Sequence, residues 1–295
     1  MGGGSWTTSS FASYTTATRG ISLDAMGIVN SASTNAQDFF KARGLRDRLN
    51  PKNVVRQCLD TEEHPNTIPV ILALDVTGSM GTAATEIAKK LNVIMTNLYE
   101  KIQDVEFLVM GIGDLACDDA PIQASQFESD IRIAEQLDDV YFEFGGGGNS
   151  YESYTAAWYF GSRHTQLDCW KRGKKGIIIT MGDEQINPYL PELPLSRATG
   201  DNLQGSVETK DLYEEASAKF DIYHLDVNHR YRHDDMIKPS FMKYLDEKHF
   251  REVSLDSIVD EIVEIIVSSV DSSDGTEVVS NNSFATVNEN GEISW

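Results

Sequence analysis

Asp75, Thr77 and Ser79 occupy alternate positions in the run ILALDVTGSMG, and Asp183 follows a second apolar run in IIITMGDE. Two carboxylates and two hydroxyls offer only oxygen ligands. That donor set suits a hard cation, Mg2+ first, with Mn2+ or Ca2+ as alternatives. Gly78 lets the backbone turn tightly enough for the three neighbouring side chains to point inward. Softer ligands are missing at useful spacing. Cys58, Cys117 and Cys169 are odd in number and far apart, as expected of reduced thiols in a cytoplasm.

Other chemistries fit less well. A haloacid-dehalogenase-type phosphatase needs a second Asp two residues after the first, and that position is Thr77. No Gly-x-x-x-x-Gly-Lys-Ser/Thr loop occurs, which excludes a P-loop nucleotide site. The four glycines at 145–148 could cradle a phosphate through backbone N–H groups, but no neighbouring motif supports it. Ser79 as a nucleophile would need a histidine with an orienting acid. His164 falls at a helix end, His224 in a strand, and His229 and His233 flank Tyr231 in a loop.

The elements that would position the four oxygens are legible as alternating runs. Residues 68–74 are continuously apolar, the mark of a strand buried on both faces. Residues 82–101 carry Ile87, Leu91, Ile94 and Leu98 on one helical stripe. Strands are expected at 105–112, 175–181, 221–227 and 250–255, with a short edge strand at 122–127. Helices are expected at 130–137, 150–163, 208–220 and 256–269, and a loop punctuated by Pro188, Pro191 and Pro194 follows the 175–181 strand. This alternation predicts an α/β fold: a doubly wound, mostly parallel sheet with helices on both faces. In such sheets ligands bind beyond the carboxyl ends of the strands, where strand order reverses. Asp75 and Asp183 both lie there if their strands are neighbours. Asp114, ending the 105–112 strand, would share that side, either touching water on the ion or capping its own turn. Asp118 and Asp119 read as a solvated loop.

The two motifs together resemble the metal-ion-dependent adhesion site of von Willebrand factor type A domains, whose first element is Asp-x-Ser-x-Ser and whose second Asp follows the fourth strand. Thr77 replaces the middle serine and keeps its hydroxyl. The resemblance covers about residues 68–270 and implies the strand order 3-2-1-4-5-6. It also implies that Thr77 and Ser79 hold the ion directly, with Asp75 and Asp183 acting largely through water. A carboxylate from a protein partner then fills the open position. One element departs from the pattern. The family's threonine, after a glycine-rich turn, falls near Gly148 in GGGGNSYES. Asn149 and Ser150 are the candidate replacements, and Glu152 is a third. Asn149 with Glu152 also has the spacing of a helix capping box. The stretches SQFESDIRIAEQLD and GGGGN-x-x-ESY resemble an intracellular bacterial and phage-associated group of type A proteins. Some of that group work beside AAA+ ATPases, a partner class implied here by analogy alone.

Flanking segments and charge bound the partners. Residues 1–67 are expected to be an arm, partly disordered, holding 7 of the 25 Lys and Arg but only 6 of the 46 Asp and Glu. Its basic part, 41–56, sets Lys41, Arg43, Arg46, Arg48, Lys52 and Arg56 against Asp47 alone, and folding back on an acidic domain is its simplest use. Residues 271–295 are an acidic tail or a small hairpin about Asn290-Gly291. The net charge of −21 argues against nucleic acid and anionic membranes. Trp6 stands where a myristoylation signal needs Ser or Thr, and no apolar run reaches spanning length. The expectation is therefore a cytoplasmic adaptor or scaffold gripping an acidic protein partner through a cation. A metal-dependent phosphate-ester hydrolase ranks second, and an RNA-binding protein using the basic arm third.

Overall fold

The computed structural model describes residues 4–33, 35–143, 151–227 and 235–273, together with strand residues 286–287 and 293–294. Six strands form the central sheet: β1 (Ile68–Asp75), β2 (Val105–Ile112), β3 (Ile122–Ala124), β4 (Gly176–Gly182), β5 (Phe220–Val227) and β6 (Phe250–Val253). Their order across the sheet is β6-β5-β4-β1-β2-β3, the doubly wound arrangement expected from the sequence. Every neighbouring pair is parallel except β2 with β3.

The continuous apolar runs are explained by two buried faces. Val70, Leu72 and Leu74 of β1 enter one core with Ile177, Ile179 and Met181 of β4. Ile71, Ala73 and Ile178 point to the other. The first core is covered by α2 (Gly81–Tyr99), α3 (Arg132–Asp138) and α8 (Ile258–Ser273), the second by α4 (Thr155–Arg163) and α6 (Thr209–Ser217). None of the helices among the described residues is long and apolar enough to cross a membrane.

Residues before β1 are built into this frame. Helix α1 (Thr8–Arg19) is capped by Thr7, whose hydroxyl accepts from Ser10 N at 3.1 Å. Phe11 enters the first core, and the Trp6 indole donates to Asn92 Oδ1 of α2 at 3.0 Å. Tyr14 donates to Asp138 Oδ2 at 2.7 Å, and Arg19 pairs with the same carboxylate. Within the basic stretch, Arg48 pairs with Asp139, and Arg56 donates to the Ala124 carbonyl at 2.9 Å. The strand Arg56–Cys58 runs parallel to Thr165–Leu167. At the other end, Thr286–Val287 pairs antiparallel with Ile293–Ser294.

Three local expectations are corrected. The helix expected at 150–163 begins only at Thr155, because Tyr151–Glu152 forms a short parallel strand with Gln185–Ile186. Glu152 therefore sits on a strand and cannot close a capping box on that helix. The proline loop contains a helix, α5 (Glu192–Thr199), and α7 (Ile237–Phe241) likewise holds a proline. Pro194 and Pro239 each fall in a first turn, where the missing N–H has no helical acceptor to lose. Finally, Asp118 is half-buried rather than solvated, and its Oδ2 accepts from Asp114 N at 2.7 Å.

Candidate metal centre

β1 and β4 are direct neighbours, with Leu74 opposite Met181. Their carboxyl ends therefore deliver Asp75 and Asp183 to one spot. Asp75 has no exposed surface, and its two oxygens are held from both sides. Oδ1 accepts from Thr77 N at 2.8 Å and from Thr77 Oγ1 at 2.6 Å, while Oδ2 accepts from the Tyr154 hydroxyl at 2.9 Å. Thr77 Oγ1 lies 3.4 Å from Ser79 Oγ, and Ser79 Oγ donates to Asp183 Oδ1 at 2.9 Å. Asp75, Thr77, Ser79 and Asp183 thus form one continuous chain of oxygen contacts across the two strand ends. Ser79 and Gly78 are exposed, so the chain opens to solvent at its centre.

Electrostatics point the same way. Burial pushes the Asp75 carboxyl up to about 7, and the charge of Asp183 adds to that, against the hydrogen bonds from Thr77 and Tyr154. Glu152 is raised to about 10, first by burial and then by Asp75, Asp118, Asp114 and Glu184, all acidic. Concentrated negative charge of this kind is relieved by protons or by a cation. Among the described residues no three His, Cys, Asp or Glu side chains converge within ligating reach of one point. An ion here would therefore depend on the hydroxyls and on water, which suits Mg2+ best. The all-oxygen donor set and the contiguous contacts fit a hard divalent ion.

The remaining sequence candidates divide. Asn149 and Ser150 lie outside the described residues. Glu152 is 4% exposed, and its Oε2 has no hydrogen-bond partner. Asp114 caps its own turn, its Oδ1 accepting from Ala116 N at 2.8 Å. His229 and His233 also fall outside the described residues. Ser79 finds its partners in Thr77 and Asp183, and no histidine attends it among the described residues.

Tyr154 was not singled out from the sequence. Its hydroxyl donates to Asp75 and accepts from Glu184 N at 3.2 Å, tying the first aspartate to the loop that carries the second. It fits because residue 182 is glycine: a Cβ there would stand 1.8 Å from the Tyr154 hydroxyl oxygen. The only sequence signal was Gly182 immediately before Asp183, and nothing local pairs it with Tyr154.

Behind Tyr154 lies His224, with ring centroids 5.0 Å apart, stacked on Phe241 at 3.8 Å. Thr180 Oγ1 donates to the Tyr223 carbonyl at 3.1 Å and so accepts from His224 Nδ1–H at 2.9 Å. Burial lowers His224 to about 3. The folded value lies below the unfolded one near 6.5, so the unfolded chain takes up the proton first. Stability from this group is complete above about pH 6.5 and is lost as pH falls toward 3, at roughly 1.4 kcal/mol per unit. Urea unfolding of wild type should show about 2 kcal/mol lost between pH 6.5 and pH 5 that His224→Phe does not lose. Equal acid sensitivity in both proteins would show that His224 is not the titrating group.

No known family description matches the sequence. No curated protein matches it. Solved structures with a similar course of chain include the pilus adhesin SpaC from Lactobacillus rhamnosus GG, at 12% identity and TM-score 0.48, covering 73% of this chain and 31% of that one. The vWF domain of the type V pili tip protein Mfa5 from Porphyromonas gingivalis matches at 10% identity and TM-score 0.43, covering 72% of this chain and 98% of that domain. Conserved hypothetical protein BatB from Bacteroides thetaiotaomicron matches at 13% identity and TM-score 0.42, over 71% of this chain and 100% of the other. The chain thus spans about a third of the pilus adhesin's length.

Proposed function

We propose that this chain is a cation-dependent protein-binding module of the von Willebrand factor type A kind, acting as an adaptor or scaffold in a cytoplasm. Asp75, Thr77, Ser79 and Asp183 hold a divalent cation, Mg2+ before Mn2+ or Ca2+. A carboxylate of a protein partner fills the position left open toward solvent. The observation that carries this reading is the unbroken run of oxygen contacts from Asp75 to Asp183 across two adjacent strand ends. Its exposed middle, at Gly78 and Ser79, is where an outside oxygen can approach.

Hydrolysis ranks below binding because, among the described residues, Ser79 is engaged by Thr77 and Asp183 and not by a histidine. RNA binding ranks lower still. Arg48 and Arg56 of the basic stretch are already engaged with the protein's own acceptors, and the net charge of −21 repels phosphates.

Millimolar Mg2+ or Mn2+ should raise the melting temperature of the wild-type protein, and chelator should reverse it. A ligand that binds only the folded state at 100 times its Kd adds about 2.7 kcal/mol. No shift with either ion would sink the proposal. Partner capture from host extract, with Mg2+ against chelator, then tests the binding role. Turnover of a phosphate ester that disappears with chelator would replace binding by hydrolysis.

A further inference from the structure

Among the described residues, five acidic side chains lie at the carboxyl end of the sheet with less than a tenth of their surface exposed: Asp75, Asp114, Glu152, Asp183 and Glu184. Glu152 differs from the others in what its sequence position leads one to expect and in what surrounds it. It belongs to a two-residue strand, not to a helix cap, so no backbone N–H of α4 is available to it. Its strand is pinned on two sides. The Glu152 carbonyl accepts from Asn187 N at 3.3 Å in the loop after Asp183, and the next residue, Ser153, accepts through Oγ from Leu115 N at 3.0 Å in the loop of Asp114. The backbone is therefore fixed while the carboxylate is not: Oε2 is buried and has no hydrogen-bond partner. Burial first, and then the neighbouring acids Asp75, Asp118, Asp114 and Glu184, disfavour its charged form. A buried acceptor left unsatisfied is destabilising. Such an arrangement is stable in a folded protein when something positive completes it.

We infer that Glu152 is a ligand of the cation held by Asp75 and Asp183, standing in for the threonine that the glycine-rich turn lacks. This deepens the proposed cation site and rests on it. Among the described residues no three acids share one ligating point, so Glu152 would reach the ion by rotating its own side chain, whose Oε2 makes no hydrogen bond. Three carboxylates outweigh the charge of a divalent ion, so a partner's acidic group must displace Glu152 rather than add to it. Glu152 then keeps the open position closed until an outside carboxylate competes for it.

The test uses Mn2+ alone with the full chain, reading affinity by calorimetry, inner-sphere water by proton relaxivity and metal-free stability by melting. In Glu152→Gln the metal-free protein should melt close to wild type, because the amide has the shape of a carboxyl whose Oε2 makes no hydrogen bond. Its Mn2+ affinity should fall at least about tenfold, and relaxivity per bound Mn2+ should rise as water replaces the lost ligand. Asp114→Asn keeps its turn contact and should bind Mn2+ like wild type. Unchanged affinity and relaxivity in Glu152→Gln, with wild-type binding intact and lost in Asp75→Ala, would overturn the role of Glu152 while leaving the cation site standing. Equal weakening by Asp114→Asn would also overturn it, since a diffuse field and not ligation would be at work. Absence of Mn2+ binding in wild type would remove both. If Glu152→Gln does not fold, Glu152→Asp decides: weaker binding with higher relaxivity supports the assignment, and wild-type behaviour overturns it.

Discussion

Asp75→Ala should abolish the rise in melting temperature that Mg2+ or Mn2+ produces, while the protein still folds. At 100 times Kd the ion contributes about 2.7 kcal/mol, which for a domain of this size corresponds to roughly 5–10 °C. Calorimetric scans of wild type and variant, each with and without cation, check it. The fold survives because Asp75 terminates β1 and contributes no apolar contact to either core. Burial already holds its carboxyl up at about 7, so removing it relieves a buried charge even as it strands the donors on Thr77 and Tyr154. These terms oppose one another, each on the order of 1–3 kcal/mol. The change in metal-free stability should accordingly be small beside the lost response to cation. A full response in Asp75→Ala would place the ion elsewhere.

Gly182→Ala should damage both the fold and the site through a single methyl group. The added Cβ would lie 1.8 Å from the Tyr154 hydroxyl oxygen and 2.3 Å from its ring carbon Cζ. Neither side can yield cheaply. Gly182 ends β4, paired to β5 at Asp226. The Tyr154 ring is fully buried, with centroids 5.0 Å from His224 and 5.8 Å from Phe241. Overpacking of this sort costs about 1–3 kcal/mol, and displacing the tyrosine also breaks its bond to a buried carboxylate, about another 1.5–3 kcal/mol. Urea unfolding should register a loss of about 3–6 kcal/mol, with a weakened cation response in whatever remains folded. Tyr154→Phe separates the two effects, because it removes the hydroxyl without the clash. A Gly182→Ala protein as stable as wild type would mean that β4 shifts and the close approach is not rigid.

The sheet could be read from the sequence because its strands advertise burial on both faces: 68–74 and 176–179 are apolar without the alternation of a half-exposed strand. Asp75 and Asp183 were legible for a related reason, each ending such a run. Elements decided by tertiary contact were harder. The helix expected at 150–163 loses its first turn to such a contact. Tyr151–Glu152 pairs instead with Gln185–Ile186, some thirty residues further along the chain. The helix under Pro194 was hidden because three prolines mark a loop more loudly than one apolar stripe marks a turn of helix. Tyr154 could not have been found by any local rule, since its two site partners are at 75 and 184.

β1 lies in the middle of the sheet, and this sets a schedule for a chain emerging from the ribosome. Its partner on one side, β2, follows within about forty residues, and β3 closes that edge by Ala124. Its partner on the other side, β4, begins only at Gly176. At about 5–20 residues per second, that wait lasts roughly 3–10 seconds. During it the backbone of residues 68–74, which carry only apolar side chains, presents an unpaired edge to any neighbouring strand. Synthesis at high density, or slowed between codons 125 and 175, should therefore send more of this protein into aggregates than its finished stability would suggest.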